Sequence, residues 1–156
     1  MMYNSTLIYL EQDGKYLMLH RTKKAGDMNK DKWIGVGGKF EEQESPEDCA
    51  RREILEETGL TVHRLSYRGI VTFVLNEDIT EYMHLFTSDD FEGELIECDE
   101  GDLEWVEKEK VPELPIWEGD KIFLNELVTN PDFFSLKLTY ENDILLSSSL
   151  TRYGRN

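Results

Sequence analysis

Cysteine is scarce in this chain, with Cys49 and Cys98 the two present among 156 residues. Neither belongs to a Cys-x-x-Cys or Cys/His cluster, which argues against a disulfide framework and a structural zinc site. Both read as core or incidental thiols. Histidine is also sparse, and His20, His63 and His84 show no ligand spacing. Positive charge is in deficit: 17 Lys and Arg face 33 Asp and Glu, a formal net charge of -16. Such a surface repels DNA, RNA and anionic lipid unless a cation intervenes, which excludes a basic groove for a nucleic acid polymer. No stretch approaches the ~18 consecutive apolar residues of a membrane span. The start, MMYNSTLIYLEQDGK, lacks a basic region followed by an apolar run and a small-residue cleavage site. The expectation is a cytoplasmic protein with no membrane attachment.

What is present suffices for a packed core: 39% apolar residues, with 7 Phe, 3 Trp and 7 Tyr. The length predicts a single domain over 1–156. Tyr3–Leu10 and Lys15–Arg21 read as an opening hairpin around Glu11-Gln12-Asp13-Gly14, since Asp-Gly tolerates positive φ. Thr22–Lys32 is polar, Lys-rich and without apolar period, hence a surface loop of functional length. Trp33–Phe40 mixes β-prone residues with three glycines, a place where backbone must turn or approach something closely. Ser45, Pro46 and Asp48 form a helix start, the helix continues to Thr58, and Gly59 terminates it. Leu60 to Val74 predicts one or two strands, Glu81–Ser88 and Asp102–Glu107 one each. Pro115–Thr129 contains a second helix, and Phe134–Tyr140 with Ile144–Leu150 a late hairpin. Tyr153–Asn156 reads as a frayed tail. The pattern is mixed α and β, strand-rich, with two helices to cover sheet faces.

The chemistry concentrates in Gly38–Leu60. At about 100° per residue, Glu53, Glu56 and Glu57 share one helix face. Like charges at i,i+3 and i,i+4 repel, and acids in the last turns oppose the helix dipole. A hard divalent cation converts that repulsion into coordination, because Mg²⁺ prefers oxygen ligands and bridges carboxylates to phosphates. The plainer alternative is a solvated acidic face. Three neighbours favour a built site. Gly37-Gly38 brings backbone close, Arg52 stands four residues before Glu56, and Gly59 sets the helix exit.

Gly38, Glu44, Arg52, Glu53, Ile54, Glu56, Glu57, Gly59 and Leu60 match every defined position of the Nudix box, which spans 38–60 here. A chance match in a chain of this size is on the order of 10⁻⁷ at average residue usage. The chain thus resembles the Nudix hydrolase family. The likeness to its MutT-like, 8-oxo-dGTP-cleaving branch extends through the early strand, Trp33–Lys39 and Ile116–Asp120.

The resemblance implies an α/β/α sandwich around a mixed β-sheet and Mg²⁺-dependent hydrolysis, with Mn²⁺ as an alternative ion. Carried over residue by residue, it implies Glu53, Glu56 and Glu57 as metal ligands with the Gly37 carbonyl, and Glu44 and Arg52 as supports. It also implies an acid from outside the box, for which Glu100 is the leading candidate and Glu97 an alternative. In the MutT-like branch a nucleoside triphosphate yields a monophosphate and pyrophosphate, with Arg21, Lys23 or Lys39 available to phosphate oxygens. Trp117 and Asp120 are the leading base-binding residues, against a core Trp and a helix-capping Asp; Thr6 is a third candidate. Ile34 stands where animal-type members carry a base-reading Asn, and offers only apolar contact. The implied partner is a small nucleotide, with the protein a monomer or homodimer. The alternatives are another nucleoside diphosphate-linked substrate (a nucleotide sugar, ADP-ribose or a dinucleoside polyphosphate), a non-catalytic nucleotide-sensing module, or an isopentenyl diphosphate isomerase.

Overall fold

The computed structural model describes residues 1–23 and 26–154. Lys24 and Ala25 of the expected surface loop, and Arg155 and Asn156 of the expected tail, lie outside the described residues. Among the described residues, eight strands and two α-helices follow in chain order: β1 Met2–Gln12, β2 Lys15–Arg21, β3 Trp33–Ile34, α1 Pro46–Thr58, β4 Thr61–Leu75, β5 Ile79–Glu92, β6 Gly101–Glu107, α2 Asp120–Thr129, β7 Phe133–Glu141 and β8 Ile144–Tyr153.

β1 organises the sheet. It runs parallel to β5 from Met2↔Thr80 to Leu10↔Ser88, and β5 continues through antiparallel β4, parallel β7 and antiparallel β8. Asp13 and Gly14 adopt the positive φ that their types predict. The opening hairpin differs from expectation, because β1 and β2 pair only at Glu11↔Tyr16 and Gln12↔Lys15. Beyond the turn β2 leaves to pair with β6 along its whole length and with β3 at Leu19↔Ile34 and His20↔Trp33. Turn chemistry was readable locally, whereas the partner of each strand rests on burial elsewhere. β4 is one long strand bent by register shifts between Val62 and Gly69. Lys108–Glu113 forms an unforeseen 3₁₀ turn. Tyr153 is the last residue of β8, paired with Phe133, so it is not frayed.

Side-chain alternation divides the core. Leu7 and Tyr9 of β1, with Val71, Phe73, Leu85, Phe134 and Leu136, face α2 through Phe123, Leu124 and Leu127. Ile8 and Leu10, with Leu17, Leu19 and Phe86, face α1 through Ala50 and Ile54. The mixed sheet therefore lies between helices, as period-2 strands require when both faces are covered. No helix among the described residues is long and apolar enough to cross a membrane.

The start of α1 follows its sequence. The Ser45 hydroxyl accepts from the Asp48 N–H at 3.0 Å, the Asp48 carboxylate accepts from the Ser45 N–H at 3.1 Å, and Pro46 opens the first turn. Ser45→Ala removes one acceptor from orphaned N–H groups and is expected to cost about 1 kcal/mol. The check is a lowered midpoint in urea denaturation with an unchanged slope.

Candidate active site

Arg52 gathers the carboxylates of the box. Its Nε and Nη2 donate to the two Glu44 oxygens at 2.7 and 2.9 Å, while Nη1 donates to Glu53 at 2.7 Å and Glu56 at 3.2 Å. Nη2 also donates to the Lys39 carbonyl at 3.1 Å, fastening helix to loop. Glu44 further accepts from the Glu41 N–H at 2.7 Å. Hydrogen bonding to Arg52 holds the Glu44 carboxyl down to about 2. Burial raises the Glu53 carboxyl, with Arg52 opposing.

Glu57 is deeper, only 7% exposed. The Gly37 N–H donates to its Oε2 at 3.2 Å. Burial first, then the facing charge of Glu100, push this carboxyl well above the usual carboxylate range. Glu100 reaches Glu57 because β2 pairs with β6, setting Arg21 opposite Gly101. Glu97, the alternative acid, is exposed. The buried Glu100 Oε2 has no hydrogen-bond partner; Arg21 Nη1 lies 3.3 Å away without hydrogen-bond alignment.

Two glycines make this approach feasible. At Gly37, φ is 151°, and a Cβ would sit 2.0 Å from the Thr6 carbonyl oxygen. At Gly38 a Cβ would lie 2.6 Å from Glu53 Oε1. Hard oxygen donors, one of them orphaned in a buried setting, fit a divalent cation better than any neutral occupant. Glu53, Glu57 and Glu100 would hold it, with Glu56 at the exposed edge. Among the described residues, no three such groups are already closed at ligand distance, since Glu53 and Glu56 lean on Arg52.

Next to these carboxylates a pocket of about 110 Å³ opens over the α2-facing side of the sheet. Thr6, Arg21, Ile34, Gly37, Gly38, Trp117 and Asp120 line it, as do Ser5, Asn29, Phe73, Glu81 and Met83. Trp117 is 5% exposed and packs edge-on against Phe73 and Tyr140, while its indole N–H donates to Asn29 Oδ1 at 2.7 Å. It is a core residue and a pocket wall at once. Asp120 does not cap α2: Gly119 holds that position, and Asp120 is the first helical residue. Its carboxyl, 5% exposed, is pushed up to about 8 by burial, with Lys32 opposing. Thr6 sits 3.5 Å from the Gly38 carbonyl and from Cys49 Sγ. Arg21 donates to Asp27 at 2.8 Å. Lys39 does not line the pocket; its ammonium rests 4.3 Å over the Tyr3 ring. Lys23 donates to the Cys98 carbonyl at 2.9 Å.

Sequence reasoning missed Ser5, Asn29, Glu81 and Met83. Period 2 along β1 and β5 was the available signal: Glu81, Met83 and Leu85 share a face, so an acid stands in an otherwise apolar row. Asn29 carried no signal, being one polar residue in a polar loop.

A carboxylate-bearing loop and helix beside a pocket walled by Trp117 is the arrangement of a class, the hydrolases of phosphoanhydrides. The NUDIX domain profile matches residues 3–127, and the chain belongs to the Nudix family as a Nudix-type hydrolase. The oxidized purine nucleoside triphosphate hydrolase of Danio rerio is 33% identical over 93% of this chain and 92% of its own length. The Mus musculus protein of the same name is 32% identical over 76% of this chain and 77% of its own. A crystal structure of a mutator MutT protein from Bacillus halodurans superposes with a TM-score of 0.84 at 29% identity, covering 95% and 97% of the two chains.

The raised Asp120 carboxyl makes stability pH-dependent. The folded chain keeps a proton there that an unfolded Asp releases near pH 4. This contribution is complete below that pH, declines as pH rises, and is lost through about 8. Asp120→Asn is therefore expected to match the parent near pH 4 and exceed it increasingly up to pH 9. Thermal midpoints of the metal-free proteins at pH 4, 7 and 9 check this; an unchanged difference across the series contradicts it.

Proposed function

We propose that this protein is a Mg²⁺-dependent nucleoside triphosphate pyrophosphohydrolase, converting NTP or dNTP and water to the monophosphate and pyrophosphate, with oxidised dGTP among its substrates. The observation that carries the reading is Glu53 against Gly38 and Glu57 on the Gly37 N–H, with Glu100 facing Glu57, beside the pocket walled by Trp117. The names of the fish and mouse relatives, which describe hydrolysis of oxidised purine nucleoside triphosphates, point the same way.

Bound among these carboxylates, Mg²⁺ supplies neutralisation of polyphosphate charge and a nucleophilic water at neutral pH. The chain's own groups do the rest. Arg52 and Glu44 hold the box loop against α1, so the ligand oxygens stay in register when the anionic substrate arrives. Glu100, the acid from outside the box and facing Glu57, is the carboxylate assigned to accept a proton from attacking water. Arg21, at the pocket wall, is better placed than Lys39 to meet a phosphate oxygen. The base would lie against Trp117 with Asp120 as a polar contact, while Thr6 borders the pocket with its hydroxyl turned to Gly38 and Cys49.

Glu57→Gln replaces a charged oxygen donor with a neutral amide and is expected to lower turnover by roughly 10³-fold or more, leaving the thermal midpoint intact or higher. Near-normal turnover with Mg²⁺ present contradicts the assignment. The substrate class is tested with a panel of triphosphates, oxidised dGTP, nucleotide sugars, ADP-ribose and dinucleoside polyphosphates, products identified by mass. Monophosphate and pyrophosphate from a triphosphate are the expected products; much faster cleavage of a diphosphate-linked compound overturns the reading.

A further inference from the structure

Ile34 offers the pocket no hydrogen bond, so any polar reading of a base must come from other walls. Glu81 is the unassigned polar group there. It lines the pocket from β5, directly opposite Tyr3 in the parallel β1–β5 register. The Tyr3 hydroxyl donates to its Oε1 at 3.0 Å, and the Ser5 hydroxyl donates to its Oε2 at 2.6 Å. It has no ion-pair partner among the described residues. Glu is disfavoured in strands, and this one occupies the row that continues into Met83 and buried Leu85. Neither propensity nor packing accounts for it.

Of the other polar walls, Asp120 carries no side-chain hydrogen bond among the described residues and lies at the Trp117 end of the pocket, while the rest are engaged. Arg21 is paired with Asp27, the Asn29 carbonyl oxygen accepts from Trp117, and Thr6 faces Gly38 and Cys49. A carboxylate has about four acceptor sites, and the two hydroxyls use one on each oxygen of Glu81. One acceptor per oxygen remains in the carboxylate plane, and the two braces hold that plane in place. Two acceptor oxygens on one carboxylate match two adjacent N–H donors, as on the edge of a guanine-type base carrying a ring N–H beside an exocyclic amino group. An adenine-type edge sets an amino donor beside a ring acceptor and satisfies one of the two. A hypoxanthine-type edge keeps the ring N–H and lacks the amino group.

We propose that Glu81, braced by Tyr3 and Ser5, is a specificity-determining residue that selects guanine-type nucleotides through their paired ring N–H and amino donors. The selection is indifferent to oxidation at the opposite edge of the purine, which other parts of the pocket must read. The inference rests on the nucleotide reading above and names the base class that reading leaves open.

The test compares the parent protein, Glu81→Gln and Ser5→Ala on GTP, inosine triphosphate and ATP with Mg²⁺, alongside calorimetric binding of GMP and IMP without metal. Loss of one charge-assisted hydrogen bond is worth roughly 10- to 100-fold. The parent is expected to favour GTP over inosine triphosphate by about that factor, carried mainly by KM. Glu81→Gln is expected to bring the two within about threefold while kcat on inosine triphosphate stays near the parent's; Ser5→Ala falls between. GMP and IMP binding is expected to follow the same order. A parent that does not distinguish guanine from hypoxanthine overturns the proposal, as does a folded Glu81→Gln with the parent's ratio. If no triphosphate is cleaved, the pyrophosphohydrolase reading fails, and the GMP to IMP binding ratio alone decides for or against Glu81.

Discussion

One guanidinium holds together what electrostatics alone would push apart. Glu44, Glu53 and Glu56 all reach Arg52, whose planar fork meets Glu44 with two parallel bonds and turns its remaining donor to the helix acids. A Lys, with a single compact charge, has no equivalent geometry. The same side chain ties the Lys39 carbonyl to α1, so the loop that carries Gly37 and Gly38 and the helix that carries the acids move as one piece. In a chain with net charge -16, this local compensation lets a carboxylate cluster persist before any cation arrives.

The two halves of the site occupy different sides of the sheet and meet at the glycines. The acids belong to the α1 side, whereas Trp117, Asp120 and Glu81 belong to the α2 side. Gly37 lies where a Cβ would strike the Thr6 carbonyl, so only bare backbone lets the loop cross against β1 and present its N–H to Glu57. β1 is shared by both halves, with Thr6 near Gly38 and Ser5 near Glu81.

Burial sets the acid–base character of both halves. Glu57 and Asp120 are carried above the ordinary carboxylate range chiefly by removal from water, one next to another acid and one with a lysine nearby.

Local chemistry determined much of this protein before any folding: the α1 start at Ser45, its end at Gly59, the turn at Asp13-Gly14 and the shared face of Glu53, Glu56 and Glu57 are all consequences of spacing within a few residues. The Nudix box is legible for the same reason, because its helix and flanking loops are contiguous in sequence. Tertiary structure alone decided which strands pair, that Asp120 enters the pocket instead of capping α2, and that Tyr153 belongs to β8. It also decided that Glu100, and not Glu97, reaches Glu57, and that Glu81 stands beside Ser5. Glu57 and Glu100 stand 43 residues apart and Ser5 and Glu81 76, brought together by sheet register and burial, and a one-residue shift of β5 would turn Glu81 to the opposite face.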